Sequence, residues 1–208
     1  MLNAYSTLDD EIKKLDNLLR HNLEHTLTKI YNLIKEKEPV LDILHNIVNI
    51  YRRNATKNLK RLGKIFGENN ENDLYKLSIT IRNILNNIYS TLNLVKNEET
   101  ARNLIQYYNL ILKYGSENIS KLDIYKLEEL TRYIRNIAKY SKSDKIIEKV
   151  LQAITNSLYN NIDIDKIEKF VRSIYIYSFS KGKSIGKIDI EKEEELLNYI
   201  EKYSSLGT

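Results

Sequence analysis

The chain has 208 residues, of which 42% are hydrophobic and 29% are charged, a composition typical of one or two globular domains rather than of a disordered chain. The absence of Cys excludes a disulfide scaffold, a zinc–thiolate site and a cysteine nucleophile, and the absence of any run of about eighteen apolar residues predicts no membrane span. The formal net charge of +5 is compatible with an anionic partner but does not identify one.

Helices are expected throughout, because one Pro and six Gly are too few for the frequent turns of an all-β protein. From Thr7, predicted as an N-cap, apolar residues recur every three or four positions to about residue 36. A second helix is predicted from Pro39 to Gly67. Its apolar stripe consists of Leu44, Val48, Tyr51, Ala55, Leu59, Leu62 and Phe66. The same reasoning predicts six further helices, at about 73–96, 97–115, 122–140, 144–161, 163–180 and 189–205. Residues 174–179 alternate like a strand but are assigned to the helix that precedes them.

Three of these helices open with one pattern. Residues 73–84 read DLYKLSITIRNI, residues 123–134 read DIYKLEELTRYI and residues 163–174 read DIDKIEKFVRSI. Asp73, Asp123 and Asp163 are predicted N-caps, because a carboxylate accepts hydrogen bonds from the free N–H groups of a first turn. Chance similarity in a chain rich in Ile, Lys, Asn and Tyr is the alternative. It explains the apolar spacing better than it explains the shared Asp, Lys and Arg positions.

The repeat predicts an all-α fold in which stacked antiparallel helical hairpins form an α-solenoid of about eight helices. Residues 1–72 are expected to form a long N-terminal hairpin with a basic stripe, acting as a divergent hairpin or a cap. Residues 73–208 are expected to form the repeat region.

The sequence pattern of the repeat resembles a known class of helical repeats. Residues 120–181 read SKLDIYKLEELTRYIRNIAKYSKSDKIIEKVLQAITNSLYNNIDIDKIEKFVRSIYIYSFSK, which is similar to the octotricopeptide and heptatricopeptide repeats and to the repeats that precede RAP domains. The resemblance implies RNA binding along a solenoid surface in a mitochondrion or another organelle, including rRNA binding within an organellar ribosome. The opening residues MLNAYSTLDDE do not resemble a secretory signal, so the chain is not expected to be secreted, and the cytoplasm is the alternative location.

A basic stripe is predicted on the second helix. Its six cations are Arg52, Arg53, Lys57, Lys60, Arg61 and Lys64. All but Arg52 fall within about a 100° arc opposite the apolar stripe, where like charges four residues apart repel each other. A phosphate backbone would relieve that repulsion. The alternative is a solvated face, or one that pairs with acids such as Glu193, Glu194 and Glu195.

Arg82, Arg132 and Arg172 occupy the same position in the three copies. They are predicted to line one groove and to contact successive phosphates or bases. A second interpretation, which the sequence favours, is that Glu128 pairs with Arg132, and Glu168 with Arg172, as i,i+4 ion pairs on a solvated surface. Most of the sixteen Tyr residues are expected to pack between helices, with a few stacking on bases.

No constellation favours an enzyme. His21 and His25 are four residues apart, but no carboxylate completes a metal site. Arg20 and His25 match the Arg-x4-His spacing of HEPN ribonucleases, which is the enzymatic alternative. The preferred prediction is a non-catalytic RNA-binding protein without a metal, a cofactor or a small-molecule substrate. Its expected partners are RNA, preferably rRNA, and neighbouring proteins of a ribonucleoprotein, and the main alternative is a protein-binding scaffold of the same fold.

Overall fold

The computed structural model describes residues 2–62, 70–185 and 190–205, with side chains mainly at 13–57, 75–181 and 191–203. Eight helices and no strand occupy these described ranges, which confirms the predicted all-α class. They are α1 (Leu2–Ile34), α2 (Glu38–Leu62), α3 (Asn70–Leu94), α4 (Glu98–Glu117), α5 (Ile124–Ser141), α6 (Asp144–Tyr159), α7 (Ile164–Ile185) and α8 (Ile190–Ser205). Residues 174–179 are helical within α7, as expected. Among the described helices, none combines the length and apolarity needed to cross a bilayer.

The helices form two layers. The odd-numbered helices pack side by side in chain order, α1 against α3, α3 against α5 and α5 against α7. The even-numbered helices pack in the same order, from α2 through α4 and α6 to α8. Consecutive helices from α1 to α7 also contact each other across the layers. This order is that of the predicted α-solenoid, in which each hairpin buries its apolar faces against its neighbours, and the N-terminal hairpin continues both layers.

The three copies of the repeat occupy equivalent places on α3, α5 and α7. Their aligned core-facing positions are all buried, namely Leu77, Ile81 and Ile84, then Leu127, Thr131 and Ile134, then Ile167, Val171 and Ile174. The arginine of each copy is exposed. The core therefore lies between the layers and receives side chains from the same repeat positions each time.

Two of the predicted N-caps are confirmed. The carboxylate of Asp123 accepts hydrogen bonds from the backbone N–H groups of Tyr125 and Lys126, at 3.1 Å and 3.0 Å. Asp163 directly precedes α7, and its carboxylate accepts from the backbone N–H of Asp165 at 2.8 Å. Both carboxylates satisfy donors that a helix leaves free at its start.

Two other predicted N-caps are wrong, because the helices begin earlier. Asp73 lies inside α3, which begins at Asn70. Thr7 lies inside α1, which begins at Leu2. Neither segment between the observed and predicted starts contains Gly or Pro, so nothing in the backbone stops the helix from continuing for another turn.

The buried face of α2 matches the predicted stripe only in part. It is centred on Ile43, Ile47 and Ile50, each at most 1% exposed, whereas Leu44 and Val48 are only half-buried. Tyr51 and Ala55 are buried as predicted, and the side chains of Leu59, Leu62 and Phe66 lie outside the described residues. The physical reason is that α2 carries two adjacent apolar faces, of which one packs into the core and the other lines a groove beside α1.

Candidate nucleic-acid interface

The three described cations of the basic stripe are all exposed, and one of them also has a partner within the chain. Arg53 donates a hydrogen bond to the carbonyl oxygen of Ser116, where the free carbonyls at the end of α4 attract a cation. Arg52 is exposed and lines the groove between α1 and α2. Lys57 is exposed one turn further along α2. Lys60, Arg61 and Lys64 lie outside the described side chains.

The acids suggested as partners for the stripe lie in a different part of the even layer from its described cations. Glu193, Glu194 and Glu195 lie on α8, whereas the stripe begins on α2. Because α4 and α6 stand between these two helices in the even layer, the tertiary structure separates the two sets of charges within one molecule.

The three repeat arginines lie on the odd layer. Arg82, Arg132 and Arg172 are all exposed, on the adjacent helices α3, α5 and α7. Arg132 pairs with Glu129 at 3.5 Å, three residues away, so the predicted pairing with Glu128 is wrong. In the part of the chain that the structure describes, no ion pair joins Arg82 or Arg172 to an acid.

Four aromatic side chains form a continuous strip between α5 and α7, which we call the aromatic seam. The seam consists of Tyr133, Tyr140, Tyr175 and Phe179, all half-buried. The ring centroids of Tyr133 and Tyr175 are 5.7 Å apart, and those of Tyr140 and Phe179 are 4.9 Å apart in an edge-to-face arrangement. These rings pack between helices, as the sequence predicted for most Tyr residues, but they also keep part of their surface in solvent.

Three cations surround the aromatic seam. The Arg132 guanidinium lies 5.8 Å from the centre of the Tyr133 ring, and the Lys139 ammonium lies 5.5 Å from the centre of the Tyr140 ring. Burial, followed by the Glu129 charge, raises the pKa of Tyr133, and the charges of Arg172 and Arg132 oppose that rise. The Arg172 charge therefore also influences the Tyr133 phenol. Rings and cations together are the combination that holds unstacked bases and phosphates.

Sequence reasoning missed some residues of this surface. Lys139 follows Arg132 by seven residues, a spacing that puts both on one helical face. Tyr75 and Tyr125 are 63% and 42% exposed, and they share the third position of the first two repeat copies. The third copy has Asp165 there instead, which pairs with Lys126 at 3.8 Å. The shared Asp-x-Tyr-Lys opening was the available signal.

A groove of ≈ 530 Å³ lies between α1 and α2. Its apolar lining includes Leu41, Leu44 and Val48 beside the buried Leu23, Ile47 and Ile81. The polar residues that line it are Asp16, Arg20, Asp42, His45, Asn49 and Arg52. Tyr51 is buried at its floor, where burial, followed by the nearby Asp16 charge, raises the pKa of this phenol to about 12. Arg20 thus lines the groove, whereas the exposed His25 does not, so this cavity does not unite the pair that suggested a ribonuclease. Among the described residues, no three His, Asp or Glu side chains are grouped to hold a metal.

The fold and the surface define a class, an all-α protein of stacked helical hairpins in two layers, with cations and aromatic rings on one layer. Comparisons with family models, curated proteins and solved structures gave no match. The resemblance to organellar RNA-binding repeats therefore depends on residues 120–181 alone.

Proposed function

We propose that the chain is a non-catalytic RNA-binding helical-repeat protein that contacts RNA through the odd layer. The observation that carries this proposal is the recurrence of Arg82, Arg132 and Arg172 at aligned, exposed positions on three adjacent helices. Packed helices lie about 8–10 Å apart. A row of cations with that repeat distance follows a polyanion, because each guanidinium displaces a counterion from a phosphate.

The aromatic seam favours RNA over a simple anion. Partly exposed tyrosine rings offer stacking area to bases that are not already stacked in a duplex, as in the loops and single strands of a folded RNA. The guanidinium of Arg132 and the ammonium of Lys139 sit beside these rings, within reach of the phosphates that flank a stacked base. The finer proposal, ribosomal RNA in an organellar ribonucleoprotein with neighbouring proteins, rests on the sequence resemblance.

The test is the salt dependence of RNA affinity. Fluorescence anisotropy with a labelled single-stranded RNA gives the dissociation constant at a series of salt concentrations. Each lost phosphate contact lowers the slope of log affinity against log salt by about 0.7, so changing Arg82, Arg132 and Arg172 together to Gln should lower it by about 2. The matched control changes three exposed lysines away from this surface to Gln, namely Lys37, Lys113 and Lys145. Equal slopes for the two triple variants would refute the proposal.

A second measurement separates stacking from charge. Tyr133→Leu keeps an apolar side chain between α5 and α7 but removes the ring. Since stacking contributes about 1–3 kcal/mol per base, affinity should fall at least about fivefold while the salt slope stays unchanged. Unchanged affinity in a variant that keeps its helical circular dichroism would exclude the seam as a base platform.

A protein-binding scaffold is the second candidate, and the groove between α1 and α2 favours it. Its apolar centre and charged rim are typical of surfaces that accept a helix. A scaffold should retain its protein partner after nuclease treatment and should tolerate the triple arginine change.

A further inference from the structure

The N-terminal hairpin leaves an apolar strip without a layer neighbour. Within the described ranges, α1 and α2 each have a neighbour on one side of their layer only. Terminal hairpins of a solenoid need a polar outer face or a partner. Here the groove exposes Leu41 by 40%, with the half-buried Leu44 and Val48 beside it.

Two opposite charges flank Leu44 and Val48 along α2. Asp42 and Arg52 both line the groove and both are exposed. They are ten residues apart on α2, which corresponds to about 15 Å along a helix. In the described part of the chain, neither forms an ion pair. Along α2, Leu44 and Val48 therefore lie between an acid and a base, together with the polar His45 and Asn49.

We propose that this strip is a dimer interface that binds a second copy of the chain, with the two α2 helices antiparallel. A two-fold axis that passes midway between Asp42 and Arg52, on the exposed side of α2, brings Asp42 of each copy to Arg52 of the other. The same surface then serves both copies, which is the condition for an isologous dimer. A parallel arrangement would face acid with acid and base with base.

Among the molecules that could occupy an apolar groove, the charge pattern favours a second copy of the chain. Read in the antiparallel direction, the order of these two charges is its own complement, with Leu44 and Val48 between them. The groove wall formed by α1 also carries one acid and one base, Asp16 and Arg20. The interface uses the N-terminal end of the solenoid and leaves the repeat arginines of the odd layer free, so it is independent of the proposed RNA function.

Charge reversal tests the proposal in RNA-free protein. Sedimentation velocity over a wide concentration range should show a monomer–dimer equilibrium for the unchanged chain. Asp42→Arg alone, or Arg52→Asp alone, places like charges at both contacts and should weaken the homodimer about tenfold or more. The double variant should restore it. An equimolar mixture of the two single variants should form a heterodimer, because one copy then carries two bases and the other two acids.

Lys113→Asp is the matched control, since Lys113 is an exposed cation on α4 outside the groove, and it should leave the dimer unchanged. Three results would overturn the proposal: a monomer at every concentration, a dimer that ignores both single reversals, or single variants that neither the double change nor the mixture rescues. Both altered side chains are exposed, and circular dichroism checks that each variant is folded. The RNA test uses different residues, so either proposal can fail without the other.

Discussion

The side chain of Asn87 links α3 to α5 inside the protein, and its removal tests how the odd layer is held together. Asn87 is 3% exposed. Its amide nitrogen donates to the Thr131 hydroxyl at 3.2 Å, and its amide oxygen accepts from the Arg135 guanidinium at 2.9 Å. Asn87→Ala removes both hydrogen bonds at once.

The expected cost follows from these two bonds. A neutral hydrogen bond contributes about 1 kcal/mol and one to a charged group about 1.5–3 kcal/mol. Thr131 keeps a partner, because its hydroxyl donates to the Glu128 carbonyl oxygen at 2.9 Å. Arg135 is half-buried, so water replaces part of its lost bond and its contribution lies at the lower end. Asn87→Ala should therefore lower the free energy of unfolding by about 2–3 kcal/mol.

Urea denaturation followed by circular dichroism measures this change. If the slope of the unfolding free energy against urea concentration is the same in both proteins, the same transition is being compared. A double-mutant cycle with Arg135→Ala isolates the charged bond, for which the coupling energy should be about 1 kcal/mol or more. The reasoning is refuted if Asn87→Ala costs less than about 0.5 kcal/mol, or if the two substitutions are additive.

Two further predictions concern a cap and a buried phenol. Asp123→Ala should lower the free energy of unfolding by about 1 kcal/mol, and Asp123→Asn should not, because Asn also caps helices; equal urea midpoints for the two variants would contradict the capping role. The pKa of Tyr51, raised by burial from 10.0 to about 12, means that the folded chain holds this proton more tightly than the unfolded chain. The resulting stability is complete below pH 10.0 and is lost as the pH rises to about 12. Tyr51→Phe should reduce this alkaline loss, measured by urea denaturation across that range, and an identical loss in both proteins would exclude the effect.

Local patterns in the sequence determined the helices and their stacking. The apolar period predicted eight helices, because a helix buries residues three and four positions apart whatever its neighbours are. The repeated openings predicted equivalent helices, and α3, α5 and α7 are adjacent in one layer. Helix starts were harder to predict, as Asp73 and Thr7 show, because one more turn at a helix end changes the free energy only slightly.

Only the tertiary structure decided which groups meet. Arg53 finds its acceptor on Ser116, 63 residues away, and Asn87 bonds across helices although the aligned residue in α5 is the apolar Ile137. The face that α2 turns to the core depended on packing, because two of its faces are apolar. The sequence by itself determined which residues form helices, since that depends on neighbours along the chain. The aromatic seam and the charges that line the α1–α2 groove depend on how the helices pack together. Local sequence patterns do not specify that packing.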